Sequence, residues 1–554
     1  MKKNVFIKTI VAVTLGLGLH ACNDDGDDPV NNLPEEPLIT SPVENDEAAF
    51  ALLNSAWRPY QTLSSTFTSL IDTPVDGFTS FLGKEDDDCT FAAQIKIEYT
   101  NLYPRKTFNA LYKSIGIVND AINQIKESAG VTENGKEQAI AQAKFQRALY
   151  YSYLVQLWGE TPLLLETGGD TKVRRSIDEV YGQIVKDLKE AADVLPSGNG
   201  LTSPVIPTKG AANTLLARVY LAWGNNPLTQ QQVDAIKDSR TDPEVSYHTA
   251  RLDSAIIYAD KVIKSNLYSL LPDFRNLWGR ANESRGPEQI FTIHHDGDGI
   301  DQQGNHQAHC ASHNPWDEEE PAHIQPVHTY DWWPDDDPRK AFSVLTELKN
   351  PVDDSLHIYN WPYSLPHNGK GVDRSYYNSE YLTQLTNDVD RIEIRYAEAL
   401  LTKAEALVQL GRDNAEATGL INQIRRRAYG DADHNLASVT LKDVQDEWEY
   451  EFQYEQHRWL NLTRWKNLLS TVLTLVPTYT YYDEQFADPD NVATVNGIEH
   501  KVGAVFARYH KHLRGKVENI KGRNYRFPIP QGAAFEDLGI RPQNPGYGEP
   551  VASN

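Results

Sequence analysis

Seven of the sixteen histidines, His294, His295, His306, His309, His313, His323 and His328, fall within thirty-five residues, with Cys310 among them. On a helix, His306, His309 and His313 would share one face, a spacing from which zinc draws imidazole ligands. Gly304, Asn305, Asn314 and Pro315 interrupt that stretch, so it reads as a loop whose histidines hydrogen-bond a ligand or water. Asp296, Asp298 and Asp301 offer the hard oxygens that calcium takes, without the EF-hand spacing or its closing Glu. No metal and no cofactor is assigned to either group. Hydrolysis of a glycosidic bond needs two carboxylates about 5 to 10 Å apart, one with a raised pKa; acids are plentiful, but nothing singles out such a pair. A G-x-S-x-G elbow, an HExxH helix and a Walker-type phosphate loop are all missing, so no catalytic residue is assigned.

One further residue has a chemistry set by its position. Lys2, Lys3 and Lys8 give the chain a basic start, Ile10 to Leu19 form a short apolar run, and Leu19-His20-Ala21-Cys22 closes it. The run is too short to cross a membrane core about 30 Å thick, and it has the layout of an export signal. The pattern resembles the lipobox of bacterial lipoproteins, which implies a signal peptide over residues 1–21, cleavage before Cys22 and lipid on its sulfur. The alternative is an ordinary secretory peptide with an incidental cysteine. Only Cys89 and Cys310 then remain, so no disulfide framework is available, and whether the two pair stays open.

The 554-residue chain is 40% hydrophobic and 10% aromatic, enough for a packed core, and carries a formal net charge of -24. That charge argues against nucleic acid, whose binding depends on basic side chains neutralising phosphates. The best basic run, Arg425-Arg426-Arg427, sits in a helical pattern and reads as solvated or ion-paired charge. Residues 22–45 are rich in Asp, Asn, Glu and Pro and read as an acidic flexible tether. From about Asp46 the pattern turns helical. Ala141 to Trp158 carries apolar residues on more than one face and must pack on both sides, with Gly159 and Pro162 stopping it. Similar units span Ser176 to Leu195, Lys209 to Trp223, Tyr247 to Ser265, Arg391 to Leu410 and Ala415 to Tyr429. Ala at close-approach positions of such units fits stacked helix pairs of the tetratricopeptide kind. Residues 294–380 lack that periodicity and hold many Trp, Tyr, His, Asp, Pro and Gly, as a functional loop region does.

Short motifs in a fixed order tie these units together. Arg147-Ala148-Leu149-Tyr150-Tyr151 leads to Leu157-Trp158-Gly159-Glu160-Thr161-Pro162-Leu163, and Lys209-Gly210-Ala211-Ala212 to Leu215-Leu216-Ala217-Arg218-Val219-Tyr220-Leu221. Asp337-Pro338-Arg339, Arg395-Tyr396-Ala397-Glu398 and Asn422-Gln423-Ile424-Arg425-Arg426-Arg427 follow. Glu447, Glu451, Glu455, Arg458, Trp459, Arg464 and Trp465 then mark one helical segment, before Phe527-Pro528-Ile529-Pro530 and Gln543-Asn544-Pro545-Gly546-Tyr547. Over nearly the whole mature chain this resembles the SusD/RagB family of nutrient-binding outer-membrane lipoproteins of Bacteroidota. Gln456 stands where the family usually has Gly, Asn461 where it has Asp, and Trp448 where it often has Arg. Charges beside Trp448, Phe452 and Trp459 would have to be paired, because lone buried charges are expensive. Glu455, Arg458 and Arg464 therefore read as structural.

The resemblance implies an all-α, tetratricopeptide-like scaffold over residues 46–554, with long irregular insertions and ligand-binding loops at about 294–380. It implies binding without catalysis: a surface-exposed, lipid-anchored protein of the outer membrane that captures oligosaccharide and delivers it to a SusC-like TonB-dependent transporter. Sugar rings have apolar faces and a hydroxyl rim, so such a site wants exposed aromatic platforms flanked by polar side chains. The candidates are Trp316, Trp332, Trp333, Trp361, Tyr363, Tyr376 and Tyr377, with Phe78 and Phe81 from an earlier loop after Asp72. Trp332 and Trp333 precede the Asp-Pro-Arg turn, which favours one of them for the core. A peptide or other nutrient is the alternative ligand, and a glycoside hydrolase or a helical-repeat adhesin the alternative class.

Overall fold

The computed structural model describes residues 43–76, 78–79, 88–169, 173–198, 205–279, 286–295, 325–326, 333–349, 356–358, 367–370, 390–495, 498–501, 503–530, 540 and 542–548. Helix α1 (Asp46–Ser55) is capped by the Asn45 side chain, which accepts from the Ala48 amide. After α2 (Trp57–Gln61), α3 (Leu63–Phe67) runs into a π-helical turn, Thr68–Asp72. Next come α4 (Asp88–Ala93), α5 (Leu102–Glu127), α6 (Glu133–Trp158), α7 (Ile177–Val194), α8 (Lys209–Gly224), α9 (Gln230–Ile236) and α10 (Thr249–Ile263). The second half holds α11 (Pro338–Ser343), α12 (Tyr396–Gln409), α13 (Asn414–Tyr429), α14 (Leu441–Phe452), α15 (Arg458–Trp465), α16 (Leu468–Leu475) and α17 (Gly503–Asn519).

Helices α5, α6, α7, α8, α10, α12 and α13 pack side by side in that order, giving an all-α scaffold of the tetratricopeptide type. Helix α6 lies between α5 and α7, so both of its sides are covered, as its apolar pattern requires. It stops at Gly159, at φ +77, where a Cβ would sit 2.5 Å from Arg526 Nε. Helix α7 starts on a capping box between Ser176 and Glu179. Buried ion pairs lock the stack: Arg147 forks onto Asp187 at 2.8 and 2.9 Å, and Arg218 reaches Glu398.

The expected helical unit Arg391 to Leu410 needs a correction. Arg391–Arg395 is a strand, β10, and the helix begins only at Tyr396. In Arg-Ile-Glu-Ile-Arg the β-branched residues alternate with charges, and the segment pairs antiparallel with β4 (Gln289–Ile293) in place of continuing α12. The other described strands also pair in twos. These are β1 (Phe78–Thr79) with β5 (Gln325–Pro326), β2 (Thr161–Pro162) with β3 (Arg174–Arg175), β6 (Val344–Leu345) with β9 (His367–Asn368), β7 (Glu347–Lys349) with β8 (Leu356–Ile358), and β11 (Val492–Val495) with β12 (Ile498–Lys501).

Candidate functional site

The long excursion between β4 and β10 leaves and re-enters the scaffold at one point. Ladder β4/β10 sets Arg391 opposite Ile293, and just beyond it Asp390 Oδ1 lies 2.9 Å from His294 Nδ1 and accepts from the His295 amide at 3.0 Å. The span between them, residues 296–389, therefore starts and ends at one neck. Within it, β6/β9 and β7/β8 fold the chain back on itself, and β1/β5 ties it to the earlier loop, with Phe78 opposite Pro326. The two segments expected to supply aromatic platforms thus meet along one ladder.

Beneath the neck lies a buried ionic hub. Arg339 of α11 holds Asp337 at 2.7 Å, Glu447 at 2.7 Å and Glu451 at 2.9 Å. Arg395 of β10 holds Glu451 at 2.6 Å, Glu455 at 2.8 Å and Glu288 at 3.2 Å. Arg427 of α13 holds Glu288 at 3.0 Å and also reaches Glu451. Lys370, just past β9, donates to Glu455 at 2.7 Å and to the Glu451 carbonyl at 2.9 Å. Arg425 adds a contact to Glu447 at 3.3 Å, so five cations meet five acids. Burial alone would push the Glu451 carboxyl up, but Arg427, Arg395 and Arg339 together hold it well below the usual range. Burial pushes the Lys370 ammonium down to about 8, against the pull of Glu455.

A second cluster seats the earlier loop. Arg458 of α15 forks onto Asp76 at 2.9 and 2.5 Å and holds Glu449 at 3.0 Å. Lys516 of α17 donates to the carbonyls of Thr73 and Val75. Arg464 pairs with Glu405 at 2.7 Å. Glu455, Arg458 and Arg464 are thus ion-paired inside the scaffold. Gln456 has φ +63, the left-handed region that glycine favours, and its side chain takes a hydrogen bond from Arg391 at 3.3 Å. Trp448 is buried, with the Arg464 guanidinium 5.5 Å from its ring centre.

Of the candidate platforms, Trp333 needs a correction. It is 2% exposed and set edge-on to Tyr450 at 5.8 Å, so it anchors the excursion and offers no face to a ligand. Phe78 lies in β1. Trp316, Trp332, Trp361, Tyr363, Tyr376, Tyr377 and Phe81 lie outside the described residues, as do Cys22, Cys310, Asp296, Asp298 and His306, His309, His313, His323 and His328. Trp361 and Tyr363 fall between β8 and β9, whose ends are pinned. Among the described residues no three His, Cys, Asp or Glu are grouped to hold a metal ion, and no helix is long and apolar enough to cross a membrane. Helix α17, which adjoins β1, escaped the reading of the sequence.

Residues 292–547 match the SusD family, and residues 79–221 match a family described as starch-binding and associating with the outer membrane. The two matches together span more than half of the chain. The chain belongs to the SusD/RagB family. Among relatives, it is 26% identical over 495 residues to SusD-like protein P2 of Formosa agariphila, covering 82% of this chain and 90% of that one. Among solved structures, a SusD homolog from Bacteroides thetaiotaomicron superimposes with a TM-score of 0.72 at 22% identity, covering 92% of this chain and 98% of that one. Surface glycan-binding protein A from Bacteroides thetaiotaomicron, in complex with laminarihexaose, gives a TM-score of 0.66 at 17% identity, covering 90% and 99%. The starch-binding protein SusD of Bacteroides thetaiotaomicron is a further relative, 25% identical over 396 residues, covering 61% of this chain and 66% of that one.

Proposed function

We propose that the chain is a surface-exposed lipoprotein that captures oligosaccharide and delivers it to a SusC-like TonB-dependent transporter. The observation that carries the reading is the gathering of the earlier loop and the excursion onto one clamped base by ladders β1/β5 and β4/β10. Such a base holds loop side chains at fixed spacing, as stacking on sugar faces requires. Residues 1–21 act as signal peptide, Cys22 carries the lipid, and 22–45 tether the body, residues 46–554, to the membrane. Trp316, Trp332, Trp361, Tyr363, Tyr377, Phe78 and Phe81 remain the proposed platforms. Each aromatic contact is worth on the order of 1 kcal/mol, so three or four give micromolar affinity or weaker once ordering costs are met.

Titrating purified protein with oligosaccharides, then separating the products, tests the reading. Saturable binding with intact sugar is expected; shortened sugar would make it a hydrolase, and no response to any glycan would end the proposal. Purification from outer membranes should bring a TonB-dependent transporter along. Labelling with a radioactive fatty acid should disappear in Cys22→Ser.

A further inference from the structure

We propose that the root of the earlier loop is a proton-operated latch: residues 73–76 stay seated while Asp72 is neutral, and raising the pH unseats them as that carboxyl gives its proton to solvent. The latch is independent of sugar capture. Helix α3 runs into the π-helical turn Thr68–Asp72, a kind of turn that is rare and frequent at functional sites, and the residues that follow stay inside the protein. Asp72 and Thr73 are 1% exposed, and Val75 and Asp76 are fully buried. Cations from two other helices hold this segment down. Lys516 of α17 donates to the carbonyls of Thr73 and Val75, and Arg458 of α15 forks onto Asp76.

Asp72 is left out of these pairings. Its Oδ2 has no hydrogen-bond partner among the described residues, whereas Asp76 and Glu449 share Arg458. One turn after Glu449, Gln453 is 2% exposed, and neither of its amide atoms has a partner among the described residues. A buried carboxylate with no donor and no cation is costly, so Asp72 carries a proton. Burial pushes its carboxyl well above the ordinary range, and Glu449 pushes the same way. Burial also raises Glu449 to about 7, against the pull of Arg458. Around the turn, α3 brings no charge, nor do the described side chains of α4, Thr90 to Ala93, nor the buried ones of α5 from Pro104 to Leu111. The titratable groups of the root are then Asp72, Asp76, Glu449, Arg458 and Lys516, with Tyr479 beside Asp76, and Asp446 and Lys370 acting on Glu449. An ionised Asp72 would set a third buried carboxylate against two cations.

Once the segment opens, Asp72 ionises at its ordinary value near 4, whereas the seated carboxyl keeps its proton, so each pH unit up to the titration of the seated group favours opening about tenfold. The seat is therefore tightest in acid and weakens as pH rises. Hydrogen exchange read by mass spectrometry on a peptide covering residues 68–76 tests this at pH 6, 7 and 8. The proteins are wild type, Asp72→Asn and the control Asp193→Asn, which alters an exposed acid of α7. Comparing them at one pH cancels the intrinsic pH dependence of exchange, and Glu449 and Lys516 titrate in all three. From pH 6 to pH 8, wild type and control should gain at least about tenfold in exchange rate over Asp72→Asn in this peptide, with none of that gain in strand β10. Should Asp72→Asn not fold, Asp72→Leu takes its place as an uncharged side chain of similar size. A ratio that stays constant overturns the proposal, because opening would then release no proton from Asp72. An equal gain in β10 overturns it as well, because the whole protein and not the root would be opening.

Discussion

The hub beneath the excursion and the loop rim above it are built by opposite rules. In the hub, Asp337, Arg339, Arg395, Arg427, Glu288, Glu447, Glu451, Glu455 and Lys370 interlock with side chains nearly closed to solvent. In the rim, β1/β5 and β6/β9 are two residues long and β7/β8 three. An isolated two-stranded ladder is marginal in water, so the rim takes its order from what it is rooted in. The family motifs follow the same division: Asp337-Pro338-Arg339, Arg395 and the Glu447, Glu451 and Glu455 series all lie in the hub. A base fixed by charge geometry leaves the rim free to change its side chains, and hence its ligand, without changing the fold.

The largest effect should come from opening the hub. Glu451→Ala would leave Arg339, Arg395 and Arg427 each short of an acid in a dry interior, and breaking a buried pair this way costs about 3 to 5 kcal/mol. Urea denaturation should show at least that loss, with early proteolytic cutting inside 296–389. A stability within about 1 kcal/mol of wild type would mean that the hub relaxes by admitting water, and the contrast with the rim would fall.

Trp333→Ala comes next. Removing a large buried aromatic costs about 3 to 5 kcal/mol when the site cannot collapse, and here Tyr450 would lose its edge-on ring contact. The measurement is a denaturation curve beside a glycan titration of the folded fraction. Lost stability with retained affinity places Trp333 in the base, whereas lost affinity with retained stability would return it to the rim.

How far the sequence revealed this division depends on the residue. Helices α6, α7, α8 and α13 were legible from apolar spacing and caps, because burial on a helix repeats every three or four positions. The strand at Arg391–Arg395 was not, since its alternation spans five residues and its partner lies nearly a hundred positions earlier. Glu455, Arg458 and Arg464 were legible as structural charges, yet Glu288, Asp76 and Lys370 were not, because their partners come from distant chain positions. Trp332 and Trp333 look alike in sequence. Only packing against Tyr450 shows that Trp333 belongs to the core.

A smaller effect sharpens the contrast at the root of the earlier loop. Burial pushes the Lys516 ammonium down to about 7, with Asp76 opposing in part. Between about 7 and the ordinary lysine range near 10.4 the unfolded chain holds a proton that the folded chain has released, so this group makes stability rise with pH across that window. Lys516→Met removes the dependence. The stability of wild type minus that of the variant should therefore grow from pH 6 to pH 10. A difference that stays flat would mean that the folded protein keeps the ammonium charged, with Asp76 and the Thr73 and Val75 carbonyls holding it.

The smallest change in stability should come from the rim, and there the comparison is most exposed. Trp361 follows β8 and precedes β9 in the chain, and if it is a platform, Trp361→Ala should shift unfolding by no more than about 0.5 kcal/mol, as surface changes do. Its effect should appear in binding, where one stacking contact of about 1 kcal/mol amounts to roughly a fivefold loss of affinity. Trp316→Ala should behave alike. If both stack on one ligand through separate contacts, their losses should add in the double variant. Additive losses with an unchanged melting point would place both rings on the rim. Unchanged affinity in both single variants would remove them as platforms, and a large drop in stability would show that the base extends further into the excursion than the hub alone.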